Sequence, residues 1–236
     1  MEHTIGRFAA AALLAALTAG LVSRPAYGQD SRSSLAGKGS NSRSFDQTTD
    51  ARDLTTGLTL GVYSLAATGV SIAGPAIEGT FKTKLGEGGG IVAGWGISRT
   101  LSAYASLDVA KQATDAHTHP NGTFALGHLQ LGARANLPLS SGRTVPYVNA
   151  SIGSRALAAT VYNDHVDENV DFSMSGQTYV LGGGIQHFLS PHTSLDVGVE
   201  YATGTFSHFS DNTGKYDMQL NSSMGLRLRV GVNWRP

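Results

Sequence analysis

Residues 224–234, MGLRLRVGVNW, carry a large apolar side chain at every second position with glycine or a polar residue between. A side-chain period of two belongs to a β-strand. Leu226, Leu228, Val230, Val232 and Trp234 therefore share one face, and Arg227, Arg229 and Asn233 share the other. The same dyad recurs upstream with no charge straying onto the apolar face. A run of such strands, oily on one side and wet on the other, is the pattern of a membrane-spanning β-barrel.

Alternation read against turn signals gives eight segments, approximately 56–66, 89–98, 101–112, 124–137, 145–159, 177–188, 194–206 and 220–235. A tilted strand needs roughly nine to eleven residues to cross the hydrocarbon, and each segment supplies them. In the 194–206 segment Leu195, Val197, Val199 and Tyr201 are expected outward, with Asp196, Gly198, Glu200 and Ala202 inward. In 101–112 the outward set is Leu101, Ala103, Ala105, Leu107 and Val109, and in 124–137 it is Leu129, Leu131, Ala133, Ala135 and Leu137. The expected fold is all-β, an eight-stranded antiparallel up-and-down transmembrane β-barrel. Connections after the second, fourth and sixth strands are short, whereas 67–88, 113–123, 160–176 and 207–219 are long. Tight periplasmic turns at one end and long extracellular loops at the other produce that alternation. Trp95 and Trp234 fall at the periplasmic ends of outward rows and Tyr179 and Tyr201 nearer the outer ends, as aromatic girdles do. A soluble lipocalin-like binding barrel would alternate too, with its apolar face inward. The small, charge-free face on nearly every strand, the glycines opposite it and an export leader favour the membrane form.

That leader is residues 1–28. Arg7, an apolar run from Phe8 to Val22, Arg24 and the small-residue triplet ending at Gly28 make a secretory signal peptide. The run of about fifteen residues is short for a membrane helix, which takes roughly twenty. Residues 29–53 hold hardly any large apolar side chain and are expected to form a disordered periplasmic tail, leaving 54–236 as the barrel domain. The chain has no cysteine, which excludes disulfides and thiolate chemistry. With 17 basic and 17 acidic residues it offers no electrostatic footprint for nucleic acid.

Residues 90–108, GIVAGWGISRTLSAYASLD, and 195–201, LDVGVEY, resemble strand–turn–strand units of the OmpA-like outer-membrane β-barrel superfamily. The resemblance spans 54–236 and implies a bacterial outer-membrane location, contact with outer-membrane lipid and delivery by the outer-membrane insertion machinery. It implies a fold more than a function, because such folds carry many roles. A structural or surface-interaction protein, meeting an extracellular partner through its loops, is the expectation it supports.

Projected inward, the strands gather Asp108, His128, Arg134, Arg155, Asp196, Glu200, Arg227 and Arg229. An eight-stranded barrel is only wide enough for its own side chains, so these groups are expected to compensate one another as a structural network. The alternative is a gate in a narrow ion pore. Asp196 and Glu200 are expected to pair with Arg227 and Arg229 on the neighbouring strand. His117 and His119, with Asp164, His165 and Asp167 in another loop, hold metal-ligand chemistry but too few ligands at one place to make a site. No cofactor is implied. His208-Phe209-Ser210 resembles the His-x-Ser element of outer-membrane lipid A deacylases, in which a histidine activates a serine. The acidic third member is missing at position 222, where Ser222 stands, and strand parity is expected to turn His208 and Ser210 inward. The glycine triplets 88–90 and 182–184 lack the following Lys and Ser or Thr of a phosphate loop and read as strand glycines.

Overall fold

The computed structural model of the chain describes residues 53–74, 77–114, 123–137, 143–163, 168–211 and 214–236. The expected signal peptide at 1–28, nearly all of the expected 29–53 tail, His117, His119 and the 164–167 histidine and aspartates lie outside those residues. After a single 3-10 turn, Asp53–Thr55, come β1 (Gly57–Ala67), β2 (Val70–Gly74), β3 (Ile77–Gly96), β4 (Leu101–Thr114), β5 (Thr123–Asn136), β6 (Thr144–Asn163), β7 (Glu168–Phe188), β8 (Thr193–Ser210) and β9 (Lys215–Trp234). Gly57 joins the 3-10 turn to β1 at φ 85°, a left-handed conformation that glycine adopts freely.

Every sequential neighbour from β3 to β9 pairs antiparallel, and β1 pairs with both β3 and β9, so the sheet closes on itself. β1 and β2 are one interrupted strand, because β2 continues between the same two neighbours. The barrel therefore has eight staves. The interruption falls at Thr68 and Gly69, where a Cβ on Gly69 would collide with the backbone carbonyl of Thr83. Beyond it the Val70 amide donates to the Thr83 hydroxyl at 2.8 Å, and that hydroxyl donates to Gln112 Oε1 at 2.7 Å. Closure removes the free edges that a sheet otherwise exposes.

The outer surface carries a belt of apolar side chains, with Glu87 and Lys111 exposed beside Val109 on β3 and β4. Leu58, Leu60 and Val62 of β1, Leu129 and Leu131 of β5, Val148 and Ile152 of β6, Leu181 and Ile185 of β7, Val197 and Val199 of β8, and Leu226 to Val232 of β9 are all exposed, Leu131 to 65%. Trp95 and Trp234 close the belt at the end with short turns, and Tyr179 and Tyr201 border it at the other. The short turns 97–100 and 189–192 are held by backbone bonds such as Ile97 N to Leu101 O at 2.9 Å and Leu189 N to Thr193 O at 2.9 Å. With charge inside and hydrocarbon outside, the chain is a membrane-spanning barrel of the outer-membrane type. The inverted, soluble arrangement is ruled out by the same faces.

The strands run farther than sequence alternation suggests. Three of the four expected long loops are mostly sheet: β2 and β3 occupy 70–74 and 77–88, β6 and β7 extend through 160–163 and 168–176, and β8 and β9 through 207–210 and 215–219. Beyond Tyr179 the pattern changes sense. Asp171, Ser173 and Ser175 now point outward while Met174 and Phe172 point into the lumen. This part of the wall stands in water, so its apolar face turns inward as in a soluble barrel.

Candidate functional site

The side chains capable of chemistry lie in the lumen, stacked in layers along the barrel. At mid-height, Asp108 of β4 faces His128 of β5 in register, His128 faces Arg155 of β6, and Glu200 of β8 faces Arg227 of β9. The Asp108 carboxylate accepts from Arg227 Nη2 at 2.7 Å and from the Tyr63 hydroxyl at 3.0 Å, and it lies 2.9 Å from His128 Nδ1. Glu200 Oε1 accepts from Arg229 Nη1 at 2.6 Å and from Asn149 Nδ2 at 3.1 Å, and the Arg227 Nε is 4.0 Å from Glu200 Oε2. Asp108 and Glu200 thereby tie β4 and β8 to β9 across the barrel interior. All of these charged groups are buried. Pairing of this kind is what allows ions to leave water.

Glycines open the room. A Cβ on Gly184 would sit 2.6 Å, and one on Gly198 2.7 Å, from the Tyr147 hydroxyl, so both must be bare for that ring to fill the lumen. The 182–184 triplet therefore serves close approach. One layer nearer the short turns, Tyr147 donates to Asp196 Oδ1 at 2.7 Å and Arg134 Nη1 to Asp196 Oδ2 at 3.0 Å. The Arg134 guanidinium also stacks 3.8 Å over the Tyr147 ring.

Two sequence expectations change here. Asp196 pairs with Arg134, three staves away around the wall, and not with Arg227 or Arg229 on its neighbour. Arg227 has Asp108 as its main partner, leaving Arg229 as the direct mate of Glu200. Contacts across a lumen this narrow outrank those along a strand face, since residues on opposite walls meet at their tips. Tyr63, Tyr147 and Asn149 bind the carboxylates as closely as the arginines do. None of the three is in the lumen network expected from the sequence, although Tyr63 and Tyr147 fall within the 56–66 and 145–159 segments.

Arg155 differs from the others. It is 2% exposed, none of its three nitrogens has a hydrogen-bond partner, and its guanidinium lies 4.2 Å over the Phe206 ring. That ring belongs to an apolar cluster filling the outer part of the lumen: Ala67, Val70, Ile72, Phe124, Leu126, Leu157, Ala159, Met174, Val180, Ala202, Phe206 and Leu220. Down β5 the inward set runs Phe124, Leu126, His128, Gln130, Arg134 and Asn136, from apolar to polar. The lumen is thus not polar throughout, as the sequence suggested, but capped on its outer side by packed hydrocarbon.

The His208 element is placed differently from expectation. A register shift between Phe206 and His208 reverses the parity of β8, so the His208 ring points out to solvent and Phe209 packs toward the apolar cluster. The hydroxyl at hydrogen-bond distance from His208 Nδ1 is that of Ser207, at 2.9 Å, and not Ser210. Asp217, the register partner of His208, lies 3.6 Å from Nε2 but is 92% exposed, so water screens the pair. Among the described residues no three His, Asp or Glu side chains gather where a metal would need them.

No family model matches the sequence, and no curated protein does either. Among solved structures the chain is similar to Neisserial surface protein A, with 18% identity and a TM-score of 0.49 over 77% of this chain and 98% of that one. It is also similar to Ail, the attachment invasion locus protein of Yersinia pestis, with 12% identity and a TM-score of 0.48 over 76% and 99%. A third is the outer membrane protein OprG from Pseudomonas aeruginosa, with 8% identity and a TM-score of 0.48 over 76% and 95%.

Proposed function

We propose that this chain is a closed outer-membrane anchor that holds a rigid β-wall out from a bacterial cell and meets an extracellular partner with that wall and its hairpin tips. The observation that carries the reading is the apolar cap over the ion network. A lumen packed with Phe124, Leu126, Leu157, Phe206 and Leu220 offers no polar path, and below it Asp108 and Glu200 are already engaged by arginines. A pore needs ligands that an ion can borrow and release, so a narrow channel is disfavoured and the network is structural. Hydrolysis is disfavoured because His208 and Asp217 stand in open water, where no acidic residue is buried beside the histidine among the described residues.

Support for a surface role comes from the last hairpin. Phe124, Phe172, Phe209 and Tyr216 form a chain of ring contacts at 6.2, 5.8 and 6.3 Å, leading from the buried cap to Tyr216, which is 49% exposed. An exposed tyrosine on a braced element is a favourable binding anchor, because little freedom is lost on contact. Outer-membrane lipid would cover the belt, and the outer-membrane insertion machinery would place the barrel. The test is planar-bilayer recording of the purified, folded protein together with labelling of single cysteines placed at Tyr216 in intact cells. Silence in the bilayer and labelling from outside are expected; stepwise conductance would overturn the closed-anchor reading.

A further inference from the structure

The lumen holds more positive charge than negative. Among the described residues the inward guanidiniums are those of Arg134, Arg155, Arg227, Arg229 and Arg235, against the carboxylates of Asp108, Asp196 and Glu200. Arg155 lies against the apolar cap, but Arg235 lies beside a cavity. Its backbone is fixed by the short turn before β8, with Arg235 N donating to His192 O at 2.8 Å and Arg235 O 3.0 Å from His192 Nδ1. So held, its side chain folds back over Phe188, with the guanidinium 4.8 Å from the ring centroid. Arg235 is only 8% exposed, yet its Nε and Nη1 have no hydrogen-bond partner.

The cavity beside it, of about 40 Å³, opens at the periplasmic mouth and is lined by Thr55, Tyr104, Arg134, Gln186, Asn233 and Arg235. One water needs roughly 10–15 Å³ of such space, so the cavity has room for a small ion with a water or two and for nothing larger. Of the two guanidiniums that border it, Arg134 shares Asp196 with Tyr147, and Arg235 has no carboxylate partner among the described residues. Burial, and after it the nearby Arg134 guanidinium, push Arg235 down to about 10. Two guanidiniums bordering one cavity, one of them buried without an ion-pair partner among the described residues, make a site whose missing component is an anion.

We propose that the periplasmic mouth of the barrel binds one small monovalent anion, of the size of chloride or formate, between the guanidiniums of Arg235 and Arg134. The anion offsets the unpaired Arg235 charge and seals the inner end of the lumen as the apolar cap seals the outer end. Binding favours small anions, because an anion the size of gluconate cannot enter the cavity whole.

Urea unfolding of the detergent-folded protein, in sodium chloride and in sodium gluconate at matched ionic strength, separates binding from screening. Chloride should raise the unfolding midpoint saturably and gluconate should not; Arg235→Gln should lose the difference while Arg235→Lys keeps part of it. An equal response to both salts, or an equal chloride response in Arg235→Gln, would overturn the proposal. If Arg235→Gln does not fold, bromide-soaked crystals of the unaltered protein decide the matter. An anomalous peak beside Arg235 supports the site, and water alone in the cavity refutes it.

Discussion

Asp108→Asn isolates the energetic role of the central ion cluster, because it keeps shape and removes charge. In the native barrel the carboxylate accepts from Arg227 and Tyr63 and lies against His128, at 2.7, 3.0 and 2.9 Å, with both Asp108 and Arg227 fully shielded from solvent. The amide retains one acceptor oxygen but turns an NH₂ group toward donors. Arg227 is then left with Glu200 Oε2 at 4.0 Å, and Glu200 is already engaged by Arg229. Removing one partner of a buried pair costs about 3–5 kcal/mol, because the other charge remains buried without compensation. With a urea slope of about 2 kcal/mol per molar, the unfolding midpoint should fall by roughly 2 M. The double variant Asp108→Asn with Arg227→Met removes the stranded cation and should recover at least half of that loss, a coupling measurable by a double-mutant cycle. Unfolding followed by tryptophan fluorescence in lipid vesicles, with heat-dependent gel mobility as a check on the folded fraction, reads the unaltered protein, the two single variants and the double one. A loss below about 1 kcal/mol for the single variant, the range of a solvent-exposed pair, would refute the reasoning. So would a double variant no more stable than the single one.

Three further outcomes follow from the layers of the lumen and the belt. Leu181→Arg, in the belt, should cost about 2–4 kcal/mol in vesicle-folded protein, whereas Thr203→Arg, at the tyrosine border opposite Tyr179, should cost no more than about 1 kcal/mol; equal costs would mean that the border is misplaced. Phe206→Ala removes the ring under Arg155 and a member of the outer cap, and should destabilise by about 3–5 kcal/mol in the same urea assay. Arg155→Met should be neutral or stabilising, since that guanidinium has no hydrogen-bond partner to lose and the apolar cap can receive the thioether; thermal unfolding lower than that of the unaltered protein would show a compensating group that this geometry lacks.

The membrane-facing half of the barrel was legible because one physical rule governs it: between Trp234 and Leu226, or between Leu195 and Tyr201, a lipid face and a lumen face alternate without a break. The lumen charges followed from parity alone, and Asp108, His128, Arg155, Glu200, Arg227 and Arg229 all point inward. Their pairing was not legible, since partners such as Arg134 and Asp196 belong to strands far apart in sequence and meet only through closure. The outer half was misread as loop for a different reason. There Asp171, Ser173 and Ser175 alternate with Phe172 and Met174, which is still a strand pattern but with the polar residues on the outside. A search for an uncharged outer face passes over such segments. Bulges add to the difficulty, because the shift after Phe206 moves His208 from the expected inner face to the outer one.

The height at which the pattern changes sense is what locates the protein in its bilayer. From Trp234 to Leu226 the belt rises roughly 20 Å at about 3.4 Å per residue and a tilt near 40°, slightly less than the usual band of about 25 Å. By the same arithmetic β7 continues roughly 25–30 Å past Tyr179 to Glu168. A wall of that height in water cannot be stabilised by lipid, so it must bury its own apolar face, and the only place to bury it is the lumen. The cap that closes the pore is therefore a physical consequence of building the outer wall from long strands instead of loops. Shortening those hairpins would take Phe172 and Phe209 from the cap and reduce it to the layer of Leu126, Leu157 and Val180 that lies just above the ion network.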